Sequence, residues 1–140
     1  MREILFRAKR KNWRELPKEE WWVEGNLITN ERQEGTAYIG YIFDVHNGMI
    51  EDFDIVEVDP KTLCQFTGLK DKNGNRIWEN DIVRIENSMD EGIGNIEFYG
   101  GMWYVDEEPS NSLYDIVEYD DGELEVIGNI FDTPELLKGE

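Results

Sequence analysis

An all-β chain is the fold this sequence predicts, and three features carry the prediction. Apolar and polar residues alternate with a period of two in most segments, as on strands whose side chains point to opposite faces in turn. Asn-Gly or Gly-Gly pairs separate apolar runs at 47–48, 73–74 and 100–101, where residues tolerant of positive φ suit tight hairpin turns. Roughly ten such runs recur about every 8–12 residues, the rhythm of a sandwich or barrel.

Taken in order, Ile4, Phe6 and Ala8 alternate with Leu5, Arg7 and Lys9 as a first strand. A polar stretch over 10–20 follows, and Pro17 stops any regular element there. Residues 21–28 read as a second strand, which sends the adjacent Trp21 and Trp22 to opposite faces. Residues 37–45 and 49–58 read as a hairpin closed by Asn47-Gly48, with Ile50, Asp52, Asp54 and Val56 on one face of the return strand. Asp59 and Pro60 then suit the N-cap and first position of a short helical turn. A second hairpin closes at Asn73-Gly74, and a two-residue loop sets Asp71 against Arg76 and Leu69 against Trp78. Residues 82–85 are the next strand, followed by a loop over 87–92. The Gly100-Gly101 hairpin pairs Phe98 with Trp103 and Ile96 with Val105. A last strand pair, 114–119 and 125–131, turns at Asp121-Gly122, and Thr133-Pro134 opens a closing helical turn. A weak seam near residue 60 suggests an N-terminal sheet packed on a C-terminal barrel.

Composition bounds the function. The chain has 140 residues, with 14 Lys+Arg against 32 Asp+Glu and a net charge of −18. Aromatics at 12% argue against disorder. No stretch approaches the roughly 20 apolar residues of a spanning helix, and no apolar leader opens the chain, so a cytoplasmic protein is expected. One Cys excludes an internal disulfide and a cysteine zinc site. With one His as well, few nucleophile–base pairs can be assembled, and no catalytic set, metal site or cofactor is expected.

Residues 58–85, VDPKTLCQFTGLKDKNGNRIWENDIVRI, resemble the central signature of the YopX family of phage and prophage proteins. The opening MREILFRAKRK, the later WVEGNLI and the closing LEVIGNIFDTPELL match that family's ends, so the resemblance spans the chain. Asn80 departs from it, standing where the family has Gly, and Asn is the next best residue at positive φ. The insert over 10–20 is also longer than the family's pattern. The resemblance implies a β-rich fold with a small Src-homology-three-like barrel in the C-terminal part, encoded by phage or prophage and active in the host cell. It implies no activity and no catalytic residues.

Each chemical motif has a structural competitor. Asp71, Asn73 and Asn75 have calcium-ligand spacing, but Arg76 and Ile82 occupy the positions an EF-hand gives to Gly and Glu. His46 offers a single imidazole at a turn. Asp52, Asp54 and Glu79 lie near apolar residues without a motif to select them as a pair. Cys64 reads as a small buried hydrophobe. Gly92 and Gly94 lack the third glycine, lysine and helix of a phosphate loop.

Charge points instead to binding. Residues 1–14 hold six bases against Glu3, a net of +5, whereas residues 86–140 hold sixteen acids against Lys138, a net of −15. Arg7, Lys9, Arg10 and Lys11, with Trp13, Trp21 and Trp22, are the candidate interaction residues; one of the two adjacent tryptophans is free for a partner or covered by the insert. The expected function is a non-enzymatic binding or oligomerisation module. A homo-oligomer comes first, with a basic host or phage protein opposite the acidic half as the alternative. Nucleic acid on the basic arm is disfavoured by the acidic remainder, and no membrane contact is expected.

Overall fold

Asn47 and Gly48 take φ of 53° and 77°, so the sharpest turn in the sequence forms as expected, with His46 opposite Met49. The structure, a computed structural model, describes residues 3–86, 91–106, 111–118 and 123–138. They fall into two units, Met1–Gln65 and Phe66–Glu140.

In the first unit β1 (Phe6–Lys9), β2 (Trp22–Ile28), β3 (Ala37–His46) and β4 (Met49–Val58) form an antiparallel sheet in the order β4-β3-β2-β1. The start of β5 (Cys64–Lys70) adds to β1, with Cys64 opposite Arg7. Directly opposed residues share a face, and the pairing gives the sheet two unlike faces. Ala8–Val23, Leu27–Ile39–Val56 and Ala37–Val58 lie on one, which is the core of this unit. Lys9–Trp22, Asn26–Gly40–Ile55 and Ile42–Phe53 lie on the other. Gly25 has no room for a side chain, because a Cβ there would collide with the Gly40 carbonyl.

Two expectations change in this unit. The register of β3 on β4 shifts at Phe43 and again at Glu51, so the expected face of Ile50, Asp52, Asp54 and Val56 is broken. Each bulge inserts an unpaired residue and resets the alternation beyond it. Ile50 thereby lines a groove with Ile42, Phe53 and Ile55. The insert is more regular than expected, with a 3₁₀ turn before Pro17 (Trp13–Glu15) and another after it (Lys18–Glu20). Asp59 caps as read: its carboxylate accepts the Lys61 N–H at 3.1 Å, ahead of a 3₁₀ turn at Pro60–Thr62.

In the second unit β6 (Arg76–Trp78) returns along β5. Then β7 (Asp81–Glu86), β8 (Glu91–Tyr99), β9 (Met102–Asp106), β10 (Asn111–Ser112) and β11 (Glu123–Asn129) form a sheet in the order β10-β9-β8-β7-β11. The third hairpin matches its expected register, Phe98 on Trp103 and Ile96 on Val105. Asn80 takes φ 71°, the conformation expected of it, and its carbonyl accepts the Ile130 N–H at 3.0 Å.

The expected last strand pair is not formed. Residues 113–118 are a helix, α1 (Leu113–Glu118), and β11 pairs with β7 instead. Leu113, Ile116 and Val117 stand at i, i+3 and i+4, a helical stripe that meets the core of this unit. The segment expected to supply a strand is thus helical, and the described strands make an open sheet with no closed barrel. The Asp121-Gly122 turn and most of the 87–92 loop lie outside the described residues. A 3₁₀ turn, Pro134–Lys138, follows β11. Gly128 precedes it without a side chain because a Cβ would collide with Thr133 Oγ1.

Candidate interaction surface

Among the described residues the Lys9 side chain is the largest fully buried one, at 2% exposure. Three indole rings receive its ammonium: Trp13 at 3.9 Å, Trp21 at 4.4 Å and Trp22 at 5.6 Å from ring centroid to Nζ. The ring quadrupoles present negative faces to the cation, an attraction that grows as water is excluded. The 10–21 segment closes over this end of the sheet face. Trp13 and Trp21 meet edge to face at 4.9 Å, and Trp21 Nε1 donates to the Leu16 carbonyl at 2.9 Å. Trp13 Nε1 reaches Asp59 Oδ2 at 3.4 Å, and the Arg10 N–H donates to the Trp21 carbonyl at 2.8 Å.

Other cations of residues 7–18 lie on or beside the same rings. Arg7 lies over Trp22 at 4.6 Å, Arg14 over Trp13 at 4.3 Å and Lys18 over Trp21 at 5.9 Å. Arg10 Nε donates to the Glu20 carbonyl at 2.9 Å, and Lys11 pairs with Glu57 at 3.1 Å. Of the seven interaction residues singled out from the sequence, Arg7, Lys9, Trp13, Trp21 and Trp22 are brought together in one cluster, Arg10 bonds the segment that closes it, and Lys11 is an exposed side chain paired with Glu57. Trp21 ends a 3₁₀ turn rather than starting β2, so the expected split of Trp21 and Trp22 across the sheet is replaced by two rings around one lysine.

The other end of the same face is bare. Ile28, Ile42, Phe53 and Ile55 are 39%, 49%, 59% and 49% exposed. With Ile50, Asn26, Tyr41 and Asp54 they line a groove of about 260 Å³. Gly40 forms its floor, where a Cβ would stand 2.8 Å from Ile28 Cδ1. Beyond the bulge the hairpin exposes Phe43, Val45 and Met49 too. The sequence held a signal for this surface that period-two reading passes over. Tyr41-Ile42-Phe43 and Ile55-Val56 are apolar at both parities, the mark of a strand with two apolar faces, each needing cover.

The remaining candidates resolve locally. Asp71 is buried and does not sit across from Arg76; Lys70 does. Its Oδ1 accepts the N–H groups of Asn73 and Asn75 at 2.9 and 2.8 Å, and its Oδ2 accepts that of Val126 at 3.0 Å. The expected two-residue loop is thus a wider turn wound around a carboxylate. Burial by itself would raise that carboxyl's pKa, but the bonds from Val126, Asn75 and Asn73 outweigh it and hold it below 3.8. Those bonds already engage the Asp71 carboxylate, one of the three groups of the calcium spacing. Cys64 is buried, its Sγ donating to the Thr62 carbonyl at 3.2 Å. His46, Asp52 and Asp54 are exposed on the hairpin, and Glu79 belongs to the second unit. Gly94 serves packing, since a Cβ would meet the Asp106 carbonyl oxygen at 2.6 Å. Among the described residues no group of three or more His, Cys, Asp or Glu is placed to hold a metal. No described helix is long and apolar enough to cross a membrane.

The sequence pattern of the family described as YopX protein matches residues 5–138. The chain belongs to the YopX family. In fold it is similar to the protein EF1440 of Enterococcus faecalis, with a TM-score of 0.59 and 22% identity over 98% of this chain and 99% of that one. It is likewise similar to yopX of Bacillus subtilis, with a TM-score of 0.60 and 17% identity over the same shares of the two chains. No curated protein matches it. At these identities the solved structures support the YopX fold alone.

Proposed function

We propose that this YopX protein is a non-enzymatic protein-binding module, an accessory protein of a phage or prophage acting in the host cytoplasm. Its contact surface is the bare half of the β2–β3–β4 face. One observation carries the reading: at one end of that face the protein covers its apolar surface with its own chain, and at the other it leaves four large apolar side chains around a glycine floor in water. Contiguous exposed apolar patches of this kind mark interaction sites. The same arrangement supports a protein partner over a nucleic acid, because Lys9 and Arg14 lie on the Trp13 and Trp21 rings, Arg10 bonds the Glu20 carbonyl and Lys11 pairs with Glu57.

The test is a photoreactive phenylalanine analogue placed at Phe53, compared with one at Glu31, with the chain in the cell that carries it. Discrete protein adducts from position 53, absent from position 31 and lost on adding Ile42→Glu, are expected. Identical adduct patterns at the two positions would dismiss the surface.

A further inference from the structure

We propose that the bare half of the face takes one particular kind of partner: an extended segment of another protein in which apolar side chains alternate with Lys or Arg, added alongside β4. This rests on the reading of the face as a docking surface and names what fills it. The groove supplies the apolar half of the complementarity, with Ile28, Ile42, Phe53 and Ile55 around the Gly40 floor.

Charge supplies the other half. Residues 37–58 contain Asp44, Glu51, Asp52, Asp54 and Glu57 and no Lys or Arg, a net of −5. The rest of the first unit has nine bases against eight acids, a net of +1. The hairpin is thus the acidic part of its unit as well as its apolar part, and an apolar partner rimmed with cations matches both. The protein's own chain offers a precedent, since the 10–21 segment that closes the other end of this face brings indoles together with Arg10, Lys11, Arg14 and Lys18.

Backbone geometry fixes the mode. β4 is the outer strand of its sheet, and apart from the Arg10 bridge at Val58 no described residue pairs with its outer edge. Strand addition to such an edge gives affinity through main-chain hydrogen bonds and specificity through alternate side chains. A second copy is less well matched, because two hairpins meeting would set ten carboxylates together without one Lys or Arg.

The probes are three blocked, fluorescein-labelled octapeptides: alternating Lys/Val, alternating Glu/Val and alternating Lys/Ser. Anisotropy against the full chain is expected to show micromolar binding of Lys/Val, at least about tenfold tighter than either control. That binding weakens about tenfold between about 0.05 M and about 0.5 M salt. Phe53→Glu and, separately, Ile42→Ser lower it at least about tenfold, with circular dichroism unchanged. Equal binding of Glu/Val removes the role of charge, and equal binding of Lys/Ser removes the role of the groove; either overturns the inference. Light scattering of the chain alone separates the remaining cases. A dimer that Phe53→Glu dissolves, with no peptide bound, makes the occupant a second copy and keeps the docking surface. No peptide binding and no change of mass with Phe53→Glu removes the docking surface itself.

Discussion

The Lys9 end and the Phe53 end of one sheet face are built on the same strands, yet only the first is covered. At the Lys9 end the chain spends a twelve-residue loop, 10–21, to bury a cation among three indoles. At the Phe53 end it leaves apolar area in water, which costs about 25 cal/mol for each Å² that burial would remove. The difference teaches that this exposure is local to one end of the face: the other end of the same sheet finds cover for a group far harder to bury than isoleucine.

Breaking the cover gives the largest expected effect. Trp21→Ala removes the edge-to-face contact with Trp13, the hydrogen bond to Leu16 and one wall around Lys9. A loss of about 3 kcal/mol in urea unfolding is expected, the usual cost of truncating a packed Trp. A loss under about 1 kcal/mol would mean the 10–21 segment is not a working cover, and the contrast between the two ends would lapse.

A buried charge of opposite sign in the second unit sharpens the point. Asp71→Ala orphans the N–H groups of Asn73, Asn75 and Val126, and about 2–3 kcal/mol should be lost at neutral pH. Because the folded pKa lies below the ordinary 3.8, this contribution is complete above about pH 4 and disappears as pH falls through the folded value. The parent chain should therefore lose more stability than Asp71→Ala between about pH 4 and pH 2, read by urea midpoints at each pH. Parallel losses would show that the carboxylate's bonds do not matter to folding. Next in size is Lys9→Met, which keeps the stem and removes the charge. About 1–2 kcal/mol should go if the rings act on the cation, and a gain would show that they only pack.

How much of this was legible in the sequence depends on how local the cause was. The turns at Asn47-Gly48, Asn80 and Gly100-Gly101 need only a tolerance of positive φ, and the cap at Asp59 needs only the next two residues. The Phe98–Trp103 register follows from its turn. Non-local causes stayed hidden. Nothing near Asp71 announces that Val126, 55 residues on, will claim its second oxygen. The stripe of Leu113, Ile116 and Val117 is too short to outvote its β-like composition, so a helix read as a strand. The interaction residues were legible as a group because indoles and cations alternate in one stretch; that they would face one another required the fold of 10–21. The bare groove was masked by the bulges at Phe43 and Glu51, which put Ile50 beside Phe53.

The smallest expected effect on folding is the most informative about function. Phe53 is 59% exposed, so Phe53→Glu removes little packing and should move the urea midpoint by less than about 0.5 kcal/mol. A residue of the opposite face makes the control: Ile39, at zero exposure in the core of the unit, should lose about 2–5 kcal/mol on truncation to Ala. Two large apolar residues of one sheet, on opposite faces, would then differ several-fold in what folding asks of them. A phenylalanine that folding does not need, beside the Gly40 floor of the groove, is what the proposed docking surface requires. Were Phe53→Glu to cost as much as Ile39→Ala, the groove would be part of the protein's own core, and the distinction between the covered and the bare end would dissolve.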